Sequence, residues 1–169
     1  KDMSTRNVIV LGSINVDYVA PVERLPGPGE TIKTDRYDAL PGGKGANQAL
    51  AAARNGAATA MVGAVGSDGL DAVALSELQR AGTNLDGVKV HHGASGLAMI
   101  AVDAAGENQI IVVSGANAAV QATDLPDLNG HTILVTQNEI TWTETAQAHA
   151  RARGQGAMVI HNAAPAHRL

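Results

Sequence analysis

Short runs of apolar residues, rich in β-branched side chains, alternate along this chain with segments of helical length and composition. A continuous apolar run is typical of a strand that is buried on both faces of a parallel sheet. Such strands are predicted at residues 8–11, 59–62, 133–135 and 158–160. Helices are predicted at residues 46–54, 69–80 and from 141 to 154. This alternation predicts an α/β fold with a parallel sheet.

The predicted helices carry recognisable end signals. Asn55-Gly56 is typical of the end of the first helix, because glycine readily adopts the left-handed conformation found there. Asp68 is expected to cap the second helix. Residues 141–144, Thr-Trp-Thr-Glu, have the pattern of a capping box for the third helix, which is expected to stop at Gly154.

Two segments interrupt the alternation and predict a small β-subdomain beside the core. Residues 17–40 are extended and are divided by a turn at residues 26–29. Residues 96–114 have the pattern of a hairpin with its turn at residues 103–107. Neither segment contains a helix that could cover one face of its strands. We therefore expect the two segments to form a small β-sheet lid.

Composition excludes several classes of partner. The 169 residues suffice for one domain, and a net charge of −4 with only one tryptophan and two tyrosines argues against nucleic acid binding. No apolar run approaches the roughly 20 residues of a membrane span. The absence of cysteine excludes disulfides and fits a reducing, cytoplasmic location. The six histidines lack the spacing of metal ligands, so no metal site is predicted.

A glycine-rich run at residues 41–49 (PGGKGANQA) precedes the first predicted helix. Glycines allow backbone amides to approach a ligand, and a helix N-terminus offers unpaired N–H groups, which together favour a polyol or phosphate. The alternative is a tight turn that enters a helix packed closely on a sheet. The run is not a P-loop, because Lys44 is followed by Gly45 rather than by a hydroxyl-bearing residue.

Several motifs in register carry a family resemblance. They are Gly12-Ser13-Ile14-Asn15-Val16-Asp17, Pro28-Gly29-Glu30-Thr31, the run at residues 42–49, Gly63-Ala64-Val65-Gly66-Ser67-Asp68, Gly106-Glu107-Asn108 and Gly115-Ala116-Asn117-Ala118. Over nearly its whole length the chain resembles the ribokinase branch of the phosphofructokinase-B type carbohydrate kinases. Two local departures are Asp71, where the family usually has glycine, and Ala163, where it has proline.

The resemblance implies roles for nine residues of a sugar-binding site. Asn15 and Asp17 would hydrogen-bond sugar hydroxyls. Gly42, Gly43 and Asn47 would line the pocket, and Lys44 would bond the sugar or brace an acidic neighbour. The remaining implied members of this substrate-binding site are a sugar-contacting glutamate and two apolar residues that close over the sugar: Glu139, Ala98 and Ile110.

The resemblance also implies an activity, namely the ATP- and Mg²⁺-dependent phosphorylation of D-ribose to ribose 5-phosphate. A monovalent cation such as K⁺ and a homodimer formed through the lid are further implications. Residues 1–169 match the N-terminal part of one family domain, and the nucleotide-binding part with the catalytic aspartate is not among them. We therefore expect the chain by itself to be inactive. The alternatives are another sugar or nucleoside kinase of the family and a non-catalytic sugar-binding fragment.

Overall fold

The computed structural model describes residues 6–166. Its strands, in chain order, are β1 (Asn7–Leu11), β2 (Asn15–Pro21), β3 (Asp38–Gly42), β4 (Ala58–Gly66), β5 (Asn84–His91), β6 (Gly96–Val102), β7 (Asn108–Val113), β8 (Thr132–Gln137) and β9 (Met158–Asn162). Its α-helices are α1 (Lys44–Arg54), α2 (Asp71–Ala74), α3 (Ser76–Arg80) and α4 (Trp142–Gly154). Short 3₁₀ helices lie at Gly115–Ala119 and Ala122–Asp124. Within residues 6–166, no helix has the length and apolar character needed to cross a bilayer.

A parallel five-stranded sheet forms the core, in the order β5-β4-β1-β8-β9. β1 is the central strand, and its side chains alternate between the two faces of the sheet. Val10 packs with the α1 side of the core, whereas Ile9 and Leu11 pack with the α4 side. The apolar run at residues 8–11 is therefore covered on both faces, as its lack of alternation predicted.

Alanines allow both helical layers to lie close to the sheet. Ala46 and Ala49 of α1 are buried on one face, and Ala148 and Ala152 of α4 are buried on the other. Small side chains at these positions bring the helix backbone near the strands without leaving voids. The predicted α/β fold with helices on both faces of a parallel sheet is confirmed.

A second, four-stranded sheet has the order β3-β2-β6-β7. β2 runs parallel to β6, whereas β2–β3 and β6–β7 are antiparallel. The predicted hairpin is present as β6 and β7. After the turn of the predicted extended segment 17–40, residues 31–34 do not form a strand; the strand that pairs with β2 is β3, which runs into the glycine-rich segment. The small additional sheet is confirmed, and its action as a lid stays a prediction.

Two predicted helix starts differ in detail, because side chains from distant segments compete with local capping. The helix expected over residues 69–80 is split into α2 and α3, and Asp68 accepts hydrogen bonds from the Ser95 N–H and Oγ, both at 2.7 Å. α4 begins and ends where predicted, but its Glu144 accepts from the Ala122 N–H (2.7 Å) rather than closing a capping box. The predicted capping box at Glu144 is therefore wrong, whereas Asp68 keeps a local hydrogen bond from the Leu70 N–H (3.3 Å) beside its two shorter bonds from Ser95.

A cluster of two histidines was not anticipated from the sequence. Thr136 Oγ1 lies 2.7 Å from His149 Nε2 and 2.9 Å from His161 Nδ1, and the two imidazole centroids are 5.3 Å apart. The Trp142 ring packs edge-on against both imidazoles. Burial lowers the pKa of His149, and the neighbouring His161 and Arg153 lower it further. His167 lies outside the described residues.

The lowered pKa of His149 predicts a loss of stability in mild acid. The unfolded chain binds a proton at an ordinary histidine pKa near 6.5, whereas the folded state resists that proton, so the free energy of unfolding should fall as pH drops below 6.5. Replacing His149 with glutamine should remove this part of the pH dependence. Denaturant unfolding between pH 5 and 8 measures it.

The matched control is His92→Gln, at an exposed histidine. That variant should keep the pH dependence of the unsubstituted chain. An unchanged pH dependence in His149→Gln would contradict the prediction.

Candidate functional site

The direction of strand addition reverses between β1 and β8. From β1 the chain adds β4 and then β5 on one side, and it later adds β8 and then β9 on the other. At such a reversal, a crevice opens outside the carboxyl ends of the strands, and ligands of open α/β sheets bind there. Ser13 follows β1 and Glu139 follows β8, so both lie at this crevice.

A cavity of about 310 Å³ opens at this edge of the sheet. Two of the nine predicted site residues, Asn15 and Glu139, line it directly. Ser13, Asn117 and Val112 also line it. All three lie in motifs or strands noted in the sequence. Their contacts (Ser13 with Glu139, Asn117 with Asn15, Val112 with Ala98) join distant segments, so no local pattern predicted them.

The carboxylate of Glu139 joins three segments of the chain. Its Oε2 accepts hydrogen bonds from Ser13 Oγ (2.6 Å) and from the Lys44 N–H (2.8 Å). Its Oε1 pairs with Lys44 Nζ at 2.9 Å. Burial acts to raise the pKa of Glu139, but the hydrogen bonds from Ser13 and Lys44 outweigh it and lower that pKa. We refer to Ser13, Lys44 and Glu139 as the carboxylate clamp.

The N-terminus of α1 is closed by the clamp rather than left open for a ligand. The Lys44 N–H donates to Glu139, the Gly45 N–H to Ser13 Oγ (3.2 Å) and the Ala46 N–H to the Ser13 carbonyl oxygen (2.9 Å). The expectation of unpaired amides at this helix start is therefore wrong. The candidate ligand contacts at this edge are therefore the side chains and the glycines that precede the helix.

Gly42 and Gly43 allow the chain to turn sharply from β3 into α1. A Cβ on Gly42 would lie 2.2 Å from Asp17 Oδ1, so the Asp17 carboxylate occupies the space beside this glycine. Gly43 has a φ of 91°, and a Cβ there would lie 2.8 Å from the Ser13 carbonyl oxygen. A side chain at Gly42 would displace the Asp17 carboxylate, whereas one at Gly43 would collide with the backbone of Ser13 and Asn15.

Asp17 lies two residues after Asn15 on the same face of β2, near the negative charge of Glu139 and the positive charge of Lys44. Burial raises the pKa of its carboxyl, the negative charge of Glu139 raises it further, and the positive charge of Lys44 opposes both. The predicted residues Asp17, Lys44 and Glu139 are thus brought together electrostatically. The resulting group of two carboxylates and one ammonium suits a polar, uncharged ligand that is rich in hydroxyl groups.

The two apolar residues predicted to close over the sugar, Ala98 and Ile110, lie at different depths on the small sheet. Ala98 is buried beside Asp17 in the register of β2 and β6, and its partner on β7 is Val112. Ile110 shares the same sheet face but pairs with Ile100, further from the core, and is 50% exposed. Val112 rather than Ile110 lines the cavity. A closing role for Ile110 stays a prediction.

Asn47 lies in the first turn of α1 with its side chain exposed. It therefore has an unobstructed amide close to the clamp, which is compatible with its predicted contact. Across residues 6–166, no three acidic or histidine side chains come together as a potential metal site. The exposed Asn47 amide and the carboxylates of Asp17 and Glu139 offer hydrogen-bond donors and acceptors of the kind that suit a hydroxylated molecule.

Comparison with known proteins identifies the family of this chain. A family model described as pfkB family carbohydrate kinase matches residues 5–166. The ribokinase of Schizosaccharomyces pombe is 39% identical over 171 residues, which cover 95% of this chain and 54% of the relative. The ribokinase of Bacillus subtilis is 45% identical over 113 residues, which cover 66% of this chain and 38% of the relative.

Solved structures agree with the sequence relatives. Ribokinase from Cryptococcus neoformans in complex with ADP superposes with a TM-score of 0.84 at 32% identity, covering 97% of this chain and 53% of that protein. Arabidopsis thaliana ribokinase complexed with ribose and ATP gives a TM-score of 0.80 at 30% identity, covering 95% of this chain and 54% of that protein. The chain spans about half the length of most of these relatives. Because the family model matches almost every residue, this chain belongs to the pfkB family of carbohydrate kinases.

Proposed function

We propose that the protein containing this chain transfers the γ-phosphoryl group of ATP to D-ribose, forming ribose 5-phosphate, and that this chain carries the sugar-binding half. The observation that carries the proposal is the grouping of Asn15, Asp17 and the carboxylate clamp at the crevice between β1 and β8. The ribokinase relatives, one of them solved with ribose and ATP, support D-ribose as the sugar.

In this proposal Asp17 is the main sugar anchor. A carboxylate accepts hydrogen bonds from two hydroxyls at once, and bonds to an ionised group are stronger than neutral ones. Asn15, two residues earlier on the same face of β2, adds an amide contact. Lys44 compensates the charge of Glu139, so that the sugar meets a site with less unpaired negative charge. Gly42 and Gly43 would complete the pocket wall, and Asn47 would contact the sugar from α1.

The small sheet would act as a lid over the bound sugar. Ala98 and Val112 present apolar surface beside Asp17, and closing this surface over the sugar would exclude water from the reacting hydroxyl. Ile110 would extend the same surface. Exposed apolar side chains on the small sheet also support a homodimer through the lid: Leu40, Met99, Ile110, Ile111 and Val112.

ATP and Mg²⁺ would be held mainly by parts of the longer protein. The matching relatives are about twice as long as this chain, and the described residues bring no metal-ligand cluster together. When bound, ATP supplies the phosphoryl group and Mg²⁺ neutralises its developing charge. The residues of this chain would bind and orient the sugar. A K⁺ requirement and a cytoplasmic location belong to the same proposal.

A substrate panel tests the function directly. The full-length protein should form ADP in the presence of D-ribose, ATP and Mg²⁺. Calorimetry on the 169-residue chain alone should show ribose binding without turnover. Activity with fructose or adenosine but not ribose would contradict the assignment and favour another sugar or nucleoside kinase of the family.

Replacing Asp17 with asparagine should lower kcat/KM for ribose about 100-fold or more in the full-length protein, because two charge-assisted hydrogen bonds are lost. The asparagine keeps the size of the side chain, so the packing beside Gly42 is preserved. Steady-state kinetics measure the effect. The matched control is Asp38→Asn, an exposed carboxylate on the neighbouring strand β3, which should leave kcat/KM unchanged. Equal kinetics of the two variants would refute a sugar-binding role for Asp17.

Replacing Lys44 with methionine should weaken both the site and the fold. The Lys44–Glu139 pair is partly exposed, so the expected loss in the free energy of unfolding is about 1 kcal/mol or less. A glutamate with a lowered native pKa stabilises the folded state above its ordinary pKa of 4.5, and this contribution is lost as pH falls. Without Lys44 the native pKa of Glu139 should rise toward or above 4.5, so the loss of stability below pH 4.5 should become smaller.

Urea unfolding at several pH values measures this shift, and the KM for ribose should rise in parallel. The control is Lys33→Met, an exposed lysine outside the clamp, which should leave both quantities unchanged. A pH profile identical to that of the unsubstituted chain would show that Lys44 does not compensate Glu139.

A further inference from the structure

Asn117 makes three hydrogen bonds to the start of β2, although the two segments are about 100 residues apart in sequence. Its Oδ1 accepts from the Ile14 N–H (2.9 Å), and its Nδ2 donates to the Ile14 carbonyl oxygen (3.2 Å) and to Asn15 Oδ1 (2.8 Å). The side chain is 2% exposed and lies in the 3₁₀ helix Gly115–Ala119. It therefore joins the base of the lid to the predicted sugar anchor on β2.

The backbone of Ile14 fixes the orientation of the Asn117 and Asn15 side-chain amides, because its N–H can only donate and its carbonyl oxygen can only accept a hydrogen bond. The Ile14 N–H is a donor only, so the Asn117 atom that meets it must be the oxygen. The other terminal atom of Asn117 is then the nitrogen, which faces the Ile14 carbonyl oxygen as expected. Because this nitrogen donates to Asn15, the Asn15 atom that receives it must be the oxygen.

The amide nitrogen of Asn15 consequently faces the cavity. Asn15 lines that cavity, and among the described residues no hydrogen-bond acceptor is paired with its Nδ2. Asp17 lies on the same face of β2, and its ionised carboxylate accepts hydrogen bonds but cannot donate them. A donor and an acceptor therefore lie side by side on one strand.

We propose that Asn117 is a positioning residue that holds the Asn15 amide with its NH₂ group toward the ligand. The inference rests on the proposed function, because the ligand is taken to be a sugar. A polyol matches this arrangement, since one hydroxyl oxygen accepts from Asn15 while other hydroxyls donate to Asp17. If the Asn15 amide were reversed, two acceptors would face the sugar from β2, and no donor on this strand would meet a hydroxyl oxygen of the sugar.

Side-chain amide exchange tests the orientation without any enzymatic assay. In a ¹⁵N-labelled sample of the 169-residue chain, the Nδ2 protons of Asn117 should exchange slowly with water, because both are hydrogen-bonded. The Nδ2 protons of Asn15 should exchange at least about ten times faster, since they face the cavity. Assignment comes from the signals lost in Asn15→Asp and Asn117→Asp. Fast exchange at Asn117 with protection at Asn15 would overturn the proposal.

Substrate kinetics of the full-length protein test the consequence. In Asn117→Asp the new carboxylate cannot donate, so Asn15 must turn its NH₂ group toward it and present its oxygen to the cavity. The KM for ribose should rise about tenfold, as expected for one lost hydrogen bond, while the KM for ATP stays within about twofold. Asn15→Asp should raise the ribose KM similarly without disturbing the bonds of Asn117 to Ile14.

A double-mutant cycle separates positioning from a purely structural role. Asn117→Ala should raise the ribose KM in the presence of Asn15 but have little further effect in an Asn15→Ala background. Additive effects of the two substitutions on KM would overturn the proposal. If Asn117→Asp does not fold, the Asn117 amide is assigned from through-bond spectra of the unsubstituted chain, and its exchange still decides the orientation. Absence of ribose turnover by the unsubstituted full-length protein would refute the proposed function and leave the exchange measurement intact.

Discussion

The burial of β1 at the centre of the parallel sheet is the constraint on which the other features depend. Val10 and Leu11 are fully buried, one on each face, so helices must cover both sides of the sheet. The chain meets this requirement by adding strands first on one side of β1 and then on the other. That reversal opens the crevice between β1 and β8 and brings Ser13 and Glu139, 126 residues apart, within hydrogen-bond distance.

The partly buried negative charge of Glu139 is stabilised in the crevice by hydrogen bonds and by an ion pair. Removing a carboxylate from water is unfavourable unless hydrogen bonds or a counter-charge replace the lost solvation. Ser13 and both nitrogens of Lys44 supply these partners. The same bonds fix the start of α1 against the end of β1, so the clamp contributes both to the fold and to the shape of the proposed sugar site.

The small sheet is buried where it meets the core and exposed further out. Near the core, Val16 is fully buried against the helices of the α1 side, whereas Ile110 and Val112, on the opposite face that carries Asp17, remain half exposed. A sheet that covered its apolar face within this chain would close the cavity permanently. Leaving that face open is compatible with a lid that opens for the sugar, and with a second copy that covers the exposed residues.

The sequence alone was sufficient to predict the α/β class, β1, the β6–β7 hairpin and the bounds of α4, because these depend on local periodicity and turn residues. It failed where distant groups compete with local ones: Asp68 binds Ser95 more closely than the local Leu70 N–H, and Glu144 binds Ala122 instead of closing a capping box. The family resemblance supplied the candidate residues of the site, but not the hydrogen bonds between them.

What the sequence by itself determined is the order of the elements and the chemistry available at their ends. Only the tertiary structure decided that the amides of α1 are occupied, that Val112 faces Ala98, and that Asn117 orients Asn15. The physical reason is that hydrogen bonds and close contacts depend on distances in space. A periodic pattern fixes which face a side chain occupies, whereas the packing of distant segments determines which atom it meets.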